Sequence, residues 1–199
     1  MELLPLTFAS GWACGINAYA TVFVLGLLGR FADLAQVPAG FQRTDVLAVA
    51  GVLAALELVA DKIPMVDSAW DTVSTLIRPI AGAVIAALVA GSTDSLTTLA
   101  LAAVGGTTAL LSHLSKTGLR MAINTSPEPV SNVTASVAND VSLVTVLAIA
   151  AAHPTAAAVI AGLLLLVGLV LCAVVYHQVR RGLRRVTSRL RRGQQEPGL

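Results

Sequence analysis

Apolar runs near or above about 18 residues recur along this chain, and no other feature limits its fold as tightly. Wound as a helix rising about 1.5 Å per residue, such a run matches the hydrocarbon core of a bilayer, about 30 Å thick. Six runs stand out: 8–28, 45–60, 72–90, 96–114, 130–152 and 155–176. The second is short for a full crossing, so it either continues through Asp61 and Lys62 or stops inside the membrane. His153-Pro154 separates the last two, because proline removes a backbone donor and restricts the residue before it. Of the 199 residues, 56% are hydrophobic and 12% charged. That is about half the charge of an ordinary soluble domain, and a soluble core of this size could not hide so much apolar surface. The expected fold is an all-α, polytopic transmembrane bundle of about six spans, with no soluble domain appended.

Charge is unevenly placed. The segment RRGLRRVTSRLRR, 180–192, carries over half of the 13 Lys and Arg. The chain therefore divides into a transmembrane domain, 1–179, and a basic tail, 180–199. Such a tail is expected on the cytoplasmic side of the membrane, touching anionic lipid, and a nucleic-acid partner is not expected. Six crossings then place the N-terminus on the cytoplasmic side as well. Lys62, Lys116 and Arg120 fall in inner connections, Arg30 and Arg43 in outer ones, in agreement with positive-inside counting. The bilayer is the main expected partner, and a homo-oligomer is compatible with the chain. Cys14 and Cys172 lie in separate apolar runs and suggest neither a disulfide framework nor a zinc site. The start, Met1-Glu2, lacks a basic n-region, so the first run reads as a retained helix.

Two helical hairpins carry the polar groups. Runs two and three flank DKIPMVDSAW, and runs four and five flank SKTGLRMAINTSPEPVSN. ALELVADKIP and ALLSHLSKTG each read as an apolar helix ending in a lysine and then a break. The pair looks like an internal repeat with broken or re-entrant polar segments, a device common in transporters. Its two polar loops would meet on one face.

Asp67, Asp71 and Thr75 follow at i, i+4 and i+8, with Arg78 at i+11, so they form one stripe if 67–79 is helical. Glu57 and Asp61 are also four apart, and Asn132, Ser136 and either Asn139 or Asp140 share a face. An ionised side chain deep in lipid costs from about 2.5 kcal/mol upward, so these groups should face protein or water and pair. Arg78 is expected to pair with Asp71 or, across the interface, with Asp140. The candidate site places Asp61, Lys62, Asp67, Asp71 and Arg78 on one side. His113, Lys116, Arg120, Asn124, Glu128, Asn132 and Asp140 lie on the other.

Such a site suits a transporter or channel for an ion or small polar solute, and implies no cofactor. A buried salt-bridge network that fixes how the hairpins dock competes with that reading, although one ion pair would suffice as a pin. A non-catalytic membrane scaffold, recruiting lipid or a partner through the basic tail, is the alternative. Asp67 and Asp71 have the DxxxD spacing of membrane enzymes that bind magnesium and phosphate. Those enzymes usually carry a second acidic cluster, and NTSPEP offers just Glu128. No serine, histidine and acid are placed as in a hydrolase, so an enzyme is not expected. Gly11 and Gly15, with Asn17 nearby, form a GxxxG suited to close helix packing.

DKIPMVDSAWDTVSTLIRPIAGA and SHLSKTGLRMAINTSPEPVSN resemble the signature segments of a bacterial membrane family catalogued as domain of unknown function 4126, and GINAYATVFVLGLLGR suits its first helix. The resemblance covers nearly the whole chain. It marks Asp61, Lys62, Pro64, Asp67, Trp70, Asp71 and Arg78 in the first hairpin. In the second it marks His113, Lys116, Arg120, Asn124, Pro127, Glu128, Pro129, Ser131, Asn132 and Asp140. Asn139 stands where the family leads one to expect an acid. The resemblance implies a multi-span protein of the bacterial cytoplasmic membrane and no established activity.

Overall fold

The computed structural model describes residues 3–32, 34, 36–63, 66–124 and 129–193, with backbone alone at 68, 122, 124, 129–132, 179 and 182–193. Among these the chain is helical: α1 (Leu3–Ile16), α2 (Ala18–Phe31), a short 3-10 turn (Ala39–Gln42), α3 (Thr44–Ala60), α4 (Val66–Ala90), α5 (Ser95–Asn124), α6 (Pro129–Ala152) and α7 (Pro154–Gly193). Four segments are long and apolar enough to cross a membrane: Ala69–Ala90, Ser95–Met121, Val133–Ala152 and Pro154–Gln178.

The boundaries follow from local chemistry. Asp94 caps α5: its Oδ1 accepts from the Leu96 and Thr97 amides at 3.1 and 3.0 Å, and its Oδ2 from the Thr97 hydroxyl at 2.6 Å. Gly91, at φ 61°, ends α4 in the left-handed conformation that glycine adopts without strain. Pro154 opens α7, where its missing amide proton costs nothing, and the expected break at His153-Pro154 is present.

The first apolar run departs from expectation. It is not one span but two 14-residue helices, each about 21 Å long at 1.5 Å per residue, broken at Asn17. Asn17 is extended (φ −155°, ψ 109°), and its side chain accepts from the Ala20 amide at 2.7 Å as the cap of α2. Leu6 near the start of α1 and Leu34 and Val37 beyond α2 line one small cavity with Ala150 and Pro154. The two helices are thus legs of a V whose open end lies by the α6–α7 turn and whose apex is Asn17.

Two further expectations change. SKTGLR does not break the chain: α5 runs on through Gly118 to Asn124. Nor are the two hairpins packing units. The helix α3 barely touches α4, and α5 only brushes α6; the intimate pair is α4 with α5, and α1 packs against both. Small residues explain the choice, because they let backbones approach where solvophobic driving force is missing. A Cβ on Gly11 would sit 2.7 Å from the Gly105 carbonyl oxygen, and one on Gly15 2.3 Å from that of Ala109. The expected close packing at this GxxxG is therefore present, with α5 as its partner.

The helix α1 lies at the centre. Ala9, Trp12, Ala13 and Cys14 are buried with Leu143 and Leu147 of α6 and Ala157 and Ala161 of α7. Leu76, Ile80, Leu163 and Val170 point outward and exposed, as lipid-facing side chains do.

Gly105→Ala should lower the melting temperature in detergent, since its Cβ would meet Ala86 Cβ at 2.5 Å and the Gly82 carbonyl oxygen at 2.6 Å. Overpacking of this kind costs about 1–3 kcal/mol. Gly40→Ala, which meets nothing within 4 Å, should change nothing; equal effects at both sites would refute the close α4–α5 approach. Asp94 gives a pH signature. The Thr97 hydroxyl, then the Thr97 amide, hold its carboxyl below the usual range. Its stabilising effect is present above the unfolded value, about 3.9, and is lost as pH falls through the lower folded value. Thermal unfolding of Asp94→Ala should therefore lie below wild type at neutral pH and converge with it in strong acid.

Candidate functional site

The apex of the V is also the end of a helix. The last carbonyls of a helix lack intrahelical donors and carry partial negative charge, so they attract cations. Two arrive from neighbouring helices. Arg78 of α4 donates through Nη1 to the Gly15 carbonyl at 3.0 Å. Lys116 of α5 donates through Nζ to the Ile16 carbonyl at 2.9 Å. Ser112, one turn before Lys116, donates to the Trp12 carbonyl at 2.8 Å.

Carboxylates complete each cation. Arg78 Nη2 donates to Glu57 of α3 and lies 3.5 Å from Asp71 Oδ1. Lys116 Nζ reaches Asp61 Oδ2 at 2.5 Å. Arg120 Nη1 bridges Asp61 Oδ1 at 3.1 Å and Asp71 Oδ2 at 3.2 Å, and its Nε lies 3.6 Å from Asp67. All of these side chains are buried; even Arg120 is only 5% exposed. The result is one ionic lattice of Glu57, Asp61, Asp67 and Asp71 against Arg78, Lys116 and Arg120.

His113 sits inside it. Its Nδ1 lies 2.6 Å from Arg78 Nη1 and its Nε2 3.0 Å from the Thr75 hydroxyl. A guanidinium can only donate, so Nδ1 must accept and the ring is neutral with its proton on Nε2. Thr75 in turn donates to the Asp71 carbonyl at 2.9 Å. Six buried side-chain polar atoms have no hydrogen-bond partner among the described residues, and two of them belong to the lattice: Asp71 Oδ1 and Arg78 Nε.

The sequence-based stripe Asp67–Asp71–Thr75–Arg78 is helical in α4, and it meets His113 and Arg120 on α5, while Lys116 of α5 pairs with Asp61. His113, Lys116 and Arg120 are buried inside the protein. Arg78 takes Asp71 as expected and not Asp140. Asp140 is held by Lys62 at 3.5 Å, in a more exposed pair on the flank of the lattice. The Asn124 and Asn132 side chains and Glu128 lie outside the described residues. Glu57 was missed as a site residue; its spacing from Asp61 was visible, but nothing local tied it to Arg78. The carbonyls at the end of α1 were missed too. The signal was Asn17, a capping residue inside an apolar run.

A cavity of about 100 Å³ adjoins Lys116, and Ser112, Ser115, Asn139 and Ser142 give it a polar lining. Trp12, Leu164 and Leu165 supply its apolar walls. It has room for a few water-sized groups.

Among the described residues, seven α-helices, four of them long and apolar enough to cross a membrane, and a lattice of buried charge at a broken helix define a polytopic helical bundle with a buried ionic centre. The family model described as Domain of unknown function (DUF4126) matches residues 4–174, and the chain belongs to that family. No curated protein and no solved structure matches it.

Losing one partner of a buried ion pair costs about 3–5 kcal/mol. Carboxylates outnumber cations by one here, so the penalties should be unequal. Arg78→Met and Lys116→Met should each destabilise by about that amount. Glu57→Gln, which removes the excess charge, should cost less. Melting temperatures of the three variants in one detergent check the order, and a Glu57→Gln loss as large as the other two would contradict it.

Proposed function

We propose that the protein is a small transporter or channel that moves an ion or a small polar solute across the cytoplasmic membrane, with the ionic lattice as its gate. The observation that carries this reading is the unmet hydrogen-bonding capacity of Asp71 Oδ1 and Arg78 Nε inside an otherwise closed lattice. A pin that only docks helices gains from satisfying every buried group, and nearly all buried polar groups in folded proteins are satisfied. A gate must exchange partners. Unmet groups at its centre, with Asp71 Oδ1 3.5 Å from Arg78 Nη2, allow that exchange.

The broken helix and the polar cavity beside Lys116 support the same reading. Discontinuous helices whose C-terminal ends hold positive charge recur at the centre of secondary transporters. Here the protein's own Arg78 and Lys116 take that place. Asp67 and Asp71 face Arg120, not an open cleft, which favours a non-catalytic role over magnesium-phosphate chemistry. The basic tail continues α7 and would lie along anionic lipid on the cytoplasmic side.

Asp71→Asn should abolish solute or ion flux in reconstituted vesicles while the variant still folds and inserts. Deleting 180–199 should leave flux largely intact. If Asp71→Asn keeps full flux and loses only thermal stability, the lattice is a structural pin. If function in cells depends on the tail alone, the protein is a scaffold.

A further inference from the structure

The charge balance of the lattice carries one step more. Four carboxylates, Glu57, Asp61, Asp67 and Asp71, face three cations, Arg78, Lys116 and Arg120, and His113 is fixed as neutral by the guanidinium at its Nδ1. Fully ionised, this buried group holds one uncompensated negative charge. Among the described residues, other neighbours do not supply the missing charge. From α1 come the Gly15 and Ile16 carbonyls and the Cys14 thiol, from α4 the Thr75 hydroxyl and from α5 the Ser112 hydroxyl. On the α6 side, Asp140 is matched by Lys62. A net charge in a low-dielectric interior is far costlier than a balanced one.

A second observation locates the imbalance. Asp71 Oδ1, on a residue 1% exposed, accepts no hydrogen bond, although it lies within the lattice. An alkali cation is a poor candidate there. It would need several oxygen ligands, yet the Asp71 carboxylate is already flanked by Arg78 and Arg120.

We infer that the lattice holds one exchangeable proton at neutral pH, shared among its four carboxyl groups, so that one of them is a carboxylic acid. The step is a plain acid–base exchange. A carboxylate takes a proton from water entering the lattice, an O–H bond forms, and hydroxide leaves to bulk; release runs in reverse. Because the groups are coupled, the proton belongs to the set and not to one residue. The inference deepens the transport reading, making protons the species handled at the gate or coupled to it, and rests on that reading for its functional meaning. Its test does not use flux, so the two can fail separately.

The test is infrared spectroscopy of the full chain in lipid nanodiscs at neutral pH, reading the carbonyl stretch of a protonated carboxyl in H2O and D2O. Wild type should show the signal of about one such group, exchangeable with deuterium. Glu57→Gln, Asp61→Asn, Asp67→Asn and Asp71→Asn each leave three acids against three cations, so each folded variant should lose the signal. Asp140→Asn lies outside the lattice and should keep it. Circular dichroism confirms folding, and the wild-type measurement stands even if some variants fail to fold. Absence of the signal in wild type overturns the inference, as does its survival in the four lattice variants or its loss in Asp140→Asn. Absence accompanied by saturable stabilisation with sodium or potassium chloride would mean that an alkali ion fills the role.

Discussion

Charge taken out of water has to be compensated within reach of hydrogen-bond distance, and in this protein the compensation is assembled at the broken end of one helix. The final carbonyls of α1 accept from Arg78 and Lys116. Those cations in turn fix Glu57, Asp61 and Asp71, and Arg120 ties Asp61 to Asp71. Each helix that contributes to the lattice is thereby held against the others. Without the break at Asn17, α1 would spend those carbonyls on its own next turn and offer nothing to the cations.

The small residues are the steric counterpart of this electrostatics. Charged side chains from α4 and α5 reach the end of α1 only because the three helices run close together. Gly11, Gly15, Gly82 and Gly105 make that approach, and each has a neighbouring backbone oxygen or side-chain atom where its Cβ would be. Close packing elsewhere along the helices brings Arg78 and Lys116 within bonding range.

Much of the site was legible in the sequence. A period of four placed Asp67, Asp71 and Thr75 on one face, with Arg78 following, and helical spacing does this whatever packs against it. His113, Lys116 and Arg120 stood out because charge is costly in an apolar run. Pairings were less legible. Asp140 and Asp71 were equal candidates for Arg78, since periodicity orients a residue on its own helix and says nothing of which helix lies opposite. Glu57 escaped for the same reason: its partner is 21 positions away on another helix. The reading of 8–28 as one helix failed at Asn17, because hydropathy averages over a window and one capping residue hardly lowers the mean.

What the sequence determined alone is the class of the fold, an all-helical apolar bundle, and the set of ionisable groups that cannot be left facing lipid. Both follow from composition and period, which are local properties of the chain. Tertiary structure decided the rest: that α4 pairs with α5 and not with α3, that the first apolar run folds into a V, and that four carboxylates meet three cations in one place. These depend on contacts between residues distant in sequence, where the fit of small side chains and the balance of charge are set by the assembled helices together.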